Sequence, residues 1–218
     1  SGNTNNPVQA TSSKMPRWTP AALNGKATVS FDSNFSQVFE IQNQVSDPTY
    51  IFIVHRQNGT GASQVLGGDL STTSTNGFIA LEHGSGNVKI LSETPTSNWA
   101  ISTLSVLPNA QALWVDGQII GSQTFEQGTQ NLDFVGESFS GDIAEILVFD
   151  KAVNSVNRSK IEGYLAHKWG LSNQLSNAHP YASKPPSFGG DQQIIWGGLV
   201  PREDGNQTSY KLPDKALN

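Results

Sequence analysis

The sequence predicts an all-β protein, an antiparallel β-sandwich of jelly-roll type with one short C-terminal α-helix packed on the sandwich. Three observations predict it. Apolar and polar residues alternate at period two through most of the chain up to Phe149, the repeat of a half-buried strand. About ten such runs follow one another, divided by turns rich in Gly, Asn and Asp. One stretch alone, from Asn154 or Ser155 to Trp169, shifts to helical spacing.

The elements follow in chain order. Ala27 to Phe31 alternates and ends at an Asp32-Ser33-Asn34 turn, and Ser36 to Gln42 alternates again. Tyr50 to Val54 (YIFIV) is a continuous β-branched and aromatic run, which suits a strand covered on both faces. Val65-Leu66, Phe78 to Leu81 and Val88 to Leu91 come next, with Gly84-Ser85-Gly86-Asn87 as a hairpin loop. Gln57 to Gly77 reads as loop, short strand and loop, with Ser71 to Asn76 in the second loop. Ala112 to Val115 and Gln118 to Ile120 flank Asp116-Gly117, a pair that accepts the positive φ angles of a two-residue hairpin turn. Leu132 to Val135 and Ile143 to Phe149 complete the strands. The helix carries Ile161, Leu165 and Trp169 on one face, with Ser155 as N-cap and Gly170 just past its end. That stripe is expected to pack onto the end of the sandwich.

Composition narrows the function. Of 218 residues, 31 are charged and 73 are Ser, Thr, Asn or Gln; Cys is absent. Absent Cys excludes a disulfide scaffold, thiolate zinc sites and a cysteine nucleophile. A net charge of -5, with Lys and Arg spread singly, disfavours nucleic acid. No apolar stretch approaches the roughly 20 residues of a membrane-spanning helix. Ser1-Gly2-Asn3-Thr4-Asn5-Asn6 does not read as a signal peptide, so a secretion signal is expected elsewhere.

Three segments carry a family resemblance. Ser1-Gly2-Asn3 through Gln9-Ala10-Thr11, with Pro16-Arg17-Trp18 and Ala22-Leu23-Asn24-Gly25-Lys26, resembles the opening of LamG-like jelly-roll domains in the concanavalin A-like lectin/glucanase superfamily. Leu113-Trp114-Val115-Asp116-Gly117 is similar to their central hairpin. Gly141 to Asp150 (GDIAEILVFD) and Ile161 to Gly170 (IEGYLAHKWG) resemble their late strand and helix, and His179-Pro180-Tyr181 continues the match. The resemblance covers about residues 1 to 186. It implies a jelly-roll domain over 1–190 of the kind found in large bacterial surface and RTX-type adhesins. Such domains usually begin with an apolar strand ahead of the SGN segment. Here the extension 191–218 is expected to supply a strand, Gln193 to Val200, that completes the sandwich before a polar tail.

The superfamily includes glucanases, so paired carboxylates matter. A retaining glycosidase needs two about 5 to 5.5 Å apart. Asn131-Leu132-Asp133-Phe134-Val135-Gly136-Glu137 has Asn131 where a leading Glu would be needed. Asp142 and Glu145, three apart, should lie on opposite strand faces. Glu145 is then expected to orient loops beside the helix. No Gly-x-Ser-x-Gly elbow occurs, and His55, His83, His167 and His179 lack zinc spacing. His167 is expected to be structural. The chain is not expected to be an enzyme.

Binding is the expected activity. Rim loops carry function on a rigid jelly roll. Asn58, Asp69, Asn76, Glu82, His83, Asn98 and Trp99 are the candidate ligand-binding residues, because amides and acids beside an exposed Trp suit hydroxylated rings. Asp32, Asp69 and Asp142, at strand ends and turns, are candidate calcium ligands, and the resemblance implies calcium near such a rim. Trp18 and Trp114 read as structural. The expected role is a ligand-binding module of a bacterial adhesin, extracellular or on the cell surface, within a larger multidomain protein. Its partner would be a glycan or short peptide on another surface, without nucleic acid or membrane insertion. The alternative is a structural or assembly domain of a surface fibre.

Overall fold

The computed structural model describes residues 6–58, 63–68, 70–75, 78–83, 89–91, 98–107, 110–124 and 131–187. Asp69, Asn76, the Gly84 to Asn87 loop and the extension from 191 onward lie outside the described residues. Fourteen strands run through the described residues. They are β1 (Pro7–Val8), β2 (Arg17–Leu23), β3 (Lys26–Phe31), β4 (Phe39–Ser46), β5 (Tyr50–Gln57), β6 (Ser63–Gly68) and β7 (Leu70–Thr75). The series continues with β8 (Phe78–His83), β9 (Lys89–Leu91), β10 (Ala100–Leu107), β11 (Ala110–Val115), β12 (Gln118–Gln123), β13 (Asn131–Val135) and β14 (Gly141–Phe149). One α-helix, α1, spans Ser155–Trp169.

Two seven-stranded sheets make the sandwich. The first has the order β1-β4-β13-β6-β7-β8-β9 and the second β12-β11-β10-β5-β14-β3-β2. Between them, Ile51, Ile53, Leu104, Ile143 and Ile146 of the second sheet meet Val65, Leu66, Leu132 and Val135 of the first. Each such side chain contributes about 2 kcal/mol over leaving it in water.

The helix departs from expectation. It covers the outer face of the second sheet, not the end of the sandwich. Ile161, Leu165 and Trp169 pack there with Tyr50, Phe52, Val54, Ile101 and Leu147. Successive residues of β5 therefore enter two different cores, which explains why YIFIV shows no polar alternation. The N-cap is Asn154, not Ser155: its Oδ1 accepts from Asn157 N at 2.8 Å, and Ser155 is the first helical residue. Gly170 ends the helix at φ 70°, and Leu171 N returns to Ala166 O at 2.7 Å, a Schellman closure.

Local corrections matter for the site. Ser71 to Thr75 belongs to strand β7, not to a loop. β10, a central strand, and the edge strand β2 also went unread in the sequence. Most important, a bulge between Ile143 and Glu145 shifts the register of β14 against β5. Asp142 pairs with Arg56 and Glu145 with Val54, so the two acids share the outer face instead of opposing one another.

Candidate functional site

Beyond the helix, the outer face of the second sheet ends in a polar shelf. Backbone register builds it. Arg17 of β2 pairs with Ser30 of β3, Ser30 with Asp142 of β14, and Asp142 with Arg56 of β5. Residues directly opposite project to the same side, so the four side chains form one row across four strands. The row continues at Trp99, one residue ahead of the Ala100–His55 pair of β10 and β5.

Hydrogen bonds fix this row. Thr19 Oγ1 and Ser30 Oγ lie 2.8 Å apart, and Ser30 Oγ donates to Asp142 Oδ1. Asp142 Oδ2 accepts from Arg56 Nε at 2.7 Å and from Asn58 Nδ2 at 2.8 Å. The Arg56 guanidinium carbon stands 5.1 Å from the centroid of the Trp99 ring. Burial is unequal: the Asp142 side chain is 4% exposed, the Arg56 side chain 35%. Three donors surround a nearly buried carboxylate, which keeps it fully satisfied.

The rim beyond this row is tied to it. Asn58 N donates to Ser140 O at 2.9 Å, and Ser33 Oγ and Ser140 Oγ lie 2.7 Å apart. Asp32 caps the Ser33–Phe35 turn, its Oδ1 accepting from Asn34 N at 2.9 Å. Five of the sequence-proposed residues, Asp32, Asn58, Asn98, Trp99 and Asp142, thus gather at one end of one face. Their roles differ from those expected. Trp99 is 9% exposed and holds Arg56 instead of presenting a ring to solvent. Glu82 and His83 lie in β8 of the other sheet, in register with Ser71 and Leu70, away from the shelf. Arg17, Thr19, Ser30 and Arg56 were missed. The usable signal was parity: Phe52, Val54, Arg56 and Asn58 all fall on the outward side of β5.

The donor set around Asp142 does not fit calcium. Ser30, Arg56 and Asn58 already occupy its oxygens, two of them through N–H groups that cannot ligate a cation. Among the described residues, no group of three His, Asp or Glu could hold a metal ion.

Two further polar clusters lie under the helix. Glu145 Oε2 accepts from Trp169 Nε1 at 2.6 Å and Oε1 from Lys168 Nζ at 2.8 Å. It anchors the helix itself, close to the loop-orienting role the sequence suggested. Buried Glu162 takes Arg158 Nη1 on both oxygens, at 2.7 and 2.9 Å, and stands 3.3 Å from His179 Nε2. Arg158 in turn lies 4.4 Å over Trp114. His167 Nε2 meets Tyr181 O at 2.9 Å, a structural bond as expected. Gly117, at φ 77°, leaves room for His179, whose Cδ2 would come within 2.6 Å of any Cβ there.

Two groups have displaced titrations. His55 lies inside the sandwich against Ser102 Oγ at 2.9 Å, and burial lowers its pKa to about 4. Burial raises Asp116 to about 6, against the opposing hydrogen bond from Ile101 N and with help from the Glu162 charge.

No protein-family model matches the chain, and no curated protein matches it. Solved structures do. The chain is similar to the binding domain of Paraclostridial Mosquitocidal Protein 1, with a TM-score of 0.59 and 14% identity over 74% of this chain and 48% of that one. It thus spans about half the length of that chain. A native heptameric SAP-like pentraxin from Limulus polyphemus matches at a TM-score of 0.49 and 12% identity, over 70% of this chain and 84% of that one. The Ruminococcus gnavus IT-sialidase CBM40 bound to alpha2,3 sialyllactose matches at 0.40 and 16% identity, over 50% and 79%. At such identities likeness speaks for architecture alone. By fold, this chain is an antiparallel jelly-roll sandwich with one helix laid on its outer face.

Proposed function

We propose that the chain is a non-catalytic ligand-binding module of a bacterial extracellular adhesin, holding a glycan or short peptide at the polar shelf. The observation that supports this most is the cross-strand row from Arg17 to Trp99, whose polar groups are fixed by rigid strands before any ligand arrives. Both carboxylates on that face are committed, Asp142 to the row and Glu145 to the helix, which leaves neither free for glycosidic acid and base work. Single-site affinity would be modest and raised by repeated display on a surface. The test is an array of glycans and short peptides, probed with calcium and again with chelator, using the native chain and Asn58→Ala. Signal confined to one ligand class and lost in Asn58→Ala supports the shelf. Loss on chelation adds calcium to the assignment. Signal indifferent to Asn58→Ala sends the site elsewhere.

A second reading, a structural or assembly domain, is favoured by one observation. β2 is the edge of the second sheet, and its Trp18 is 41% exposed; Met15, two residues ahead of the strand, and Phe35, in the turn after β3, are exposed apolar side chains as well. A flat array from a folded domain that self-associates would select that reading.

A further inference from the structure

We infer that the ligand of the shelf is an acidic sugar oligomer, that Arg56 receives one of its carboxylates, and that Arg17 receives a second acidic group or a second sugar of the same ligand. This rests on the glycan-binding reading above and names the chemistry of the same site. The warrant is the difference in burial along the row. Counted by formal charge, Asp142 cancels Arg56; counted by what a ligand can touch, it does not. The acid side chain is 4% exposed and saturated by Ser30, Arg56 and Asn58, whereas the Arg56 side chain is 35% exposed and Arg17 is exposed at the edge strand. Among the described residues of the row, the charged groups offered to solvent are therefore cationic, within a chain whose net charge is -5.

Geometry sharpens this. Asp142 engages the guanidinium through Nε, so its bond to the acid does not consume the outer edge formed by Nη1 and Nη2. That edge presents two parallel N–H donors, which match the two oxygens of a carboxylate. The Trp99 ring, within cation–π distance of the guanidinium, and the tether to Asp142 restrict the fork's orientation, which removes part of the ordering cost of binding. Arg17 lies three strand spacings away, roughly 14 Å between backbones. Its long side chain can reach a second acidic group or a second sugar of the same oligomer. Asn58 and Thr19 flank the two arginines and suit hydroxyls. Asp32, another acid among the described residues of this rim, spends its Oδ1 on the turn that it caps.

The experiment compares oligogalacturonate with its methyl ester, the same sugar without charge, by calorimetric titration of the full chain at low and high salt. Arg17→Ala is the main variant, since an exposed residue on an edge strand can be removed without disturbing the fold. Arg56→Lys keeps the charge and loses the fork. The expected result is binding of the acid at least tenfold tighter than the ester, weakened by salt, and weakened about threefold or more by each variant. Equal binding of acid and ester, unaffected by salt, overturns the carboxylate claim and leaves the glycan reading standing. Equal binding of oligoglutamate and oligogalacturonate keeps the anion site but overturns the sugar. Binding of none of the three overturns the inference, and the array decides separately whether the glycan reading survives.

Discussion

Glu145 and Trp169 meet at 2.6 Å, the indole N–H donating to a carboxylate oxygen that is shut away from water beneath the helix. The other oxygen takes Lys168 at 2.8 Å. A strand acid thus holds the last turn of α1 by two adjacent residues. Trp169→Phe keeps most of the apolar contact and removes only the N–H. It should cost about 2 kcal/mol, the penalty for leaving one buried charged acceptor unpaired. Urea denaturation checks this: a lowered midpoint with an unchanged slope is expected, and an unchanged midpoint would remove Glu145 from the account of helix docking.

The Asp142–Arg56 pair invites a double-mutant cycle. Asp142→Asn leaves a half-exposed Arg56 and should cost about 1 to 2 kcal/mol, less than for a fully buried pair. Arg56→Gln alone should cost more than Arg56→Gln made in the Asp142→Asn background, since the acid is the deeper partner. Additive effects would mean that the two residues do not interact energetically.

His55 sets an acid limit. Its folded pKa is about 4 against an ordinary 6.5, so between those values the unfolded chain binds a proton that the folded chain refuses. The stability it contributes is complete above pH 6.5 and is lost as the pH falls toward 4. The span is on the order of 3 kcal/mol. His55→Gln, which can still bond Ser102, should flatten the fall in melting temperature between pH 6.5 and 4. An equally steep fall in the variant would place the sensitivity elsewhere.

Asp116 works in the other direction. Its pKa is raised to about 6 from 3.8, so its contribution is complete below 3.8 and is lost as the pH rises through 6. Asp116→Asn keeps the acceptor for Ile101 N, at 2.9 Å in the native chain, and tolerates the φ of 49° at this turn. The variant should be more stable than the native chain at pH 7.5, by on the order of 3 kcal/mol, and equal to it near pH 4. A variant less stable at both pH values would show that the charge is useful where it stands.

The sequence made some of this legible and hid the rest for physical reasons. YIFIV announced a strand covered on both faces, and Asp116-Gly117 announced its turn through two positive φ values, 49° and 77°. β10 was missed because its small buried polar residues, Ser102, Thr103 and Ser105, dilute the apolar signal while still packing closely. The residues of the candidate shelf were half visible. Asn58, Trp99 and Asp142 were found by residue type, but their roles depend on Arg56 and Ser30, which only the cross-strand register brings beside them. Parity arguments also failed at Ala144, since a bulge cannot be read from alternation that it interrupts.

That bulge has a consequence for how the chain tolerates change. One supernumerary residue, Ala144, resets the phase of β14, so the shelf and the helix anchor face the same way while Ile143 and Ile146 both still point inward. Taking Ala144 into a one-to-one ladder with β5 would restore strict alternation and force a choice. Either Asp142 or Glu145 would turn into the apolar gap between the sheets, carrying a charge with no partner there. The polar shelf and the helix seat are therefore cut from a single strand by a single offset, and neither can drift in evolution without the other.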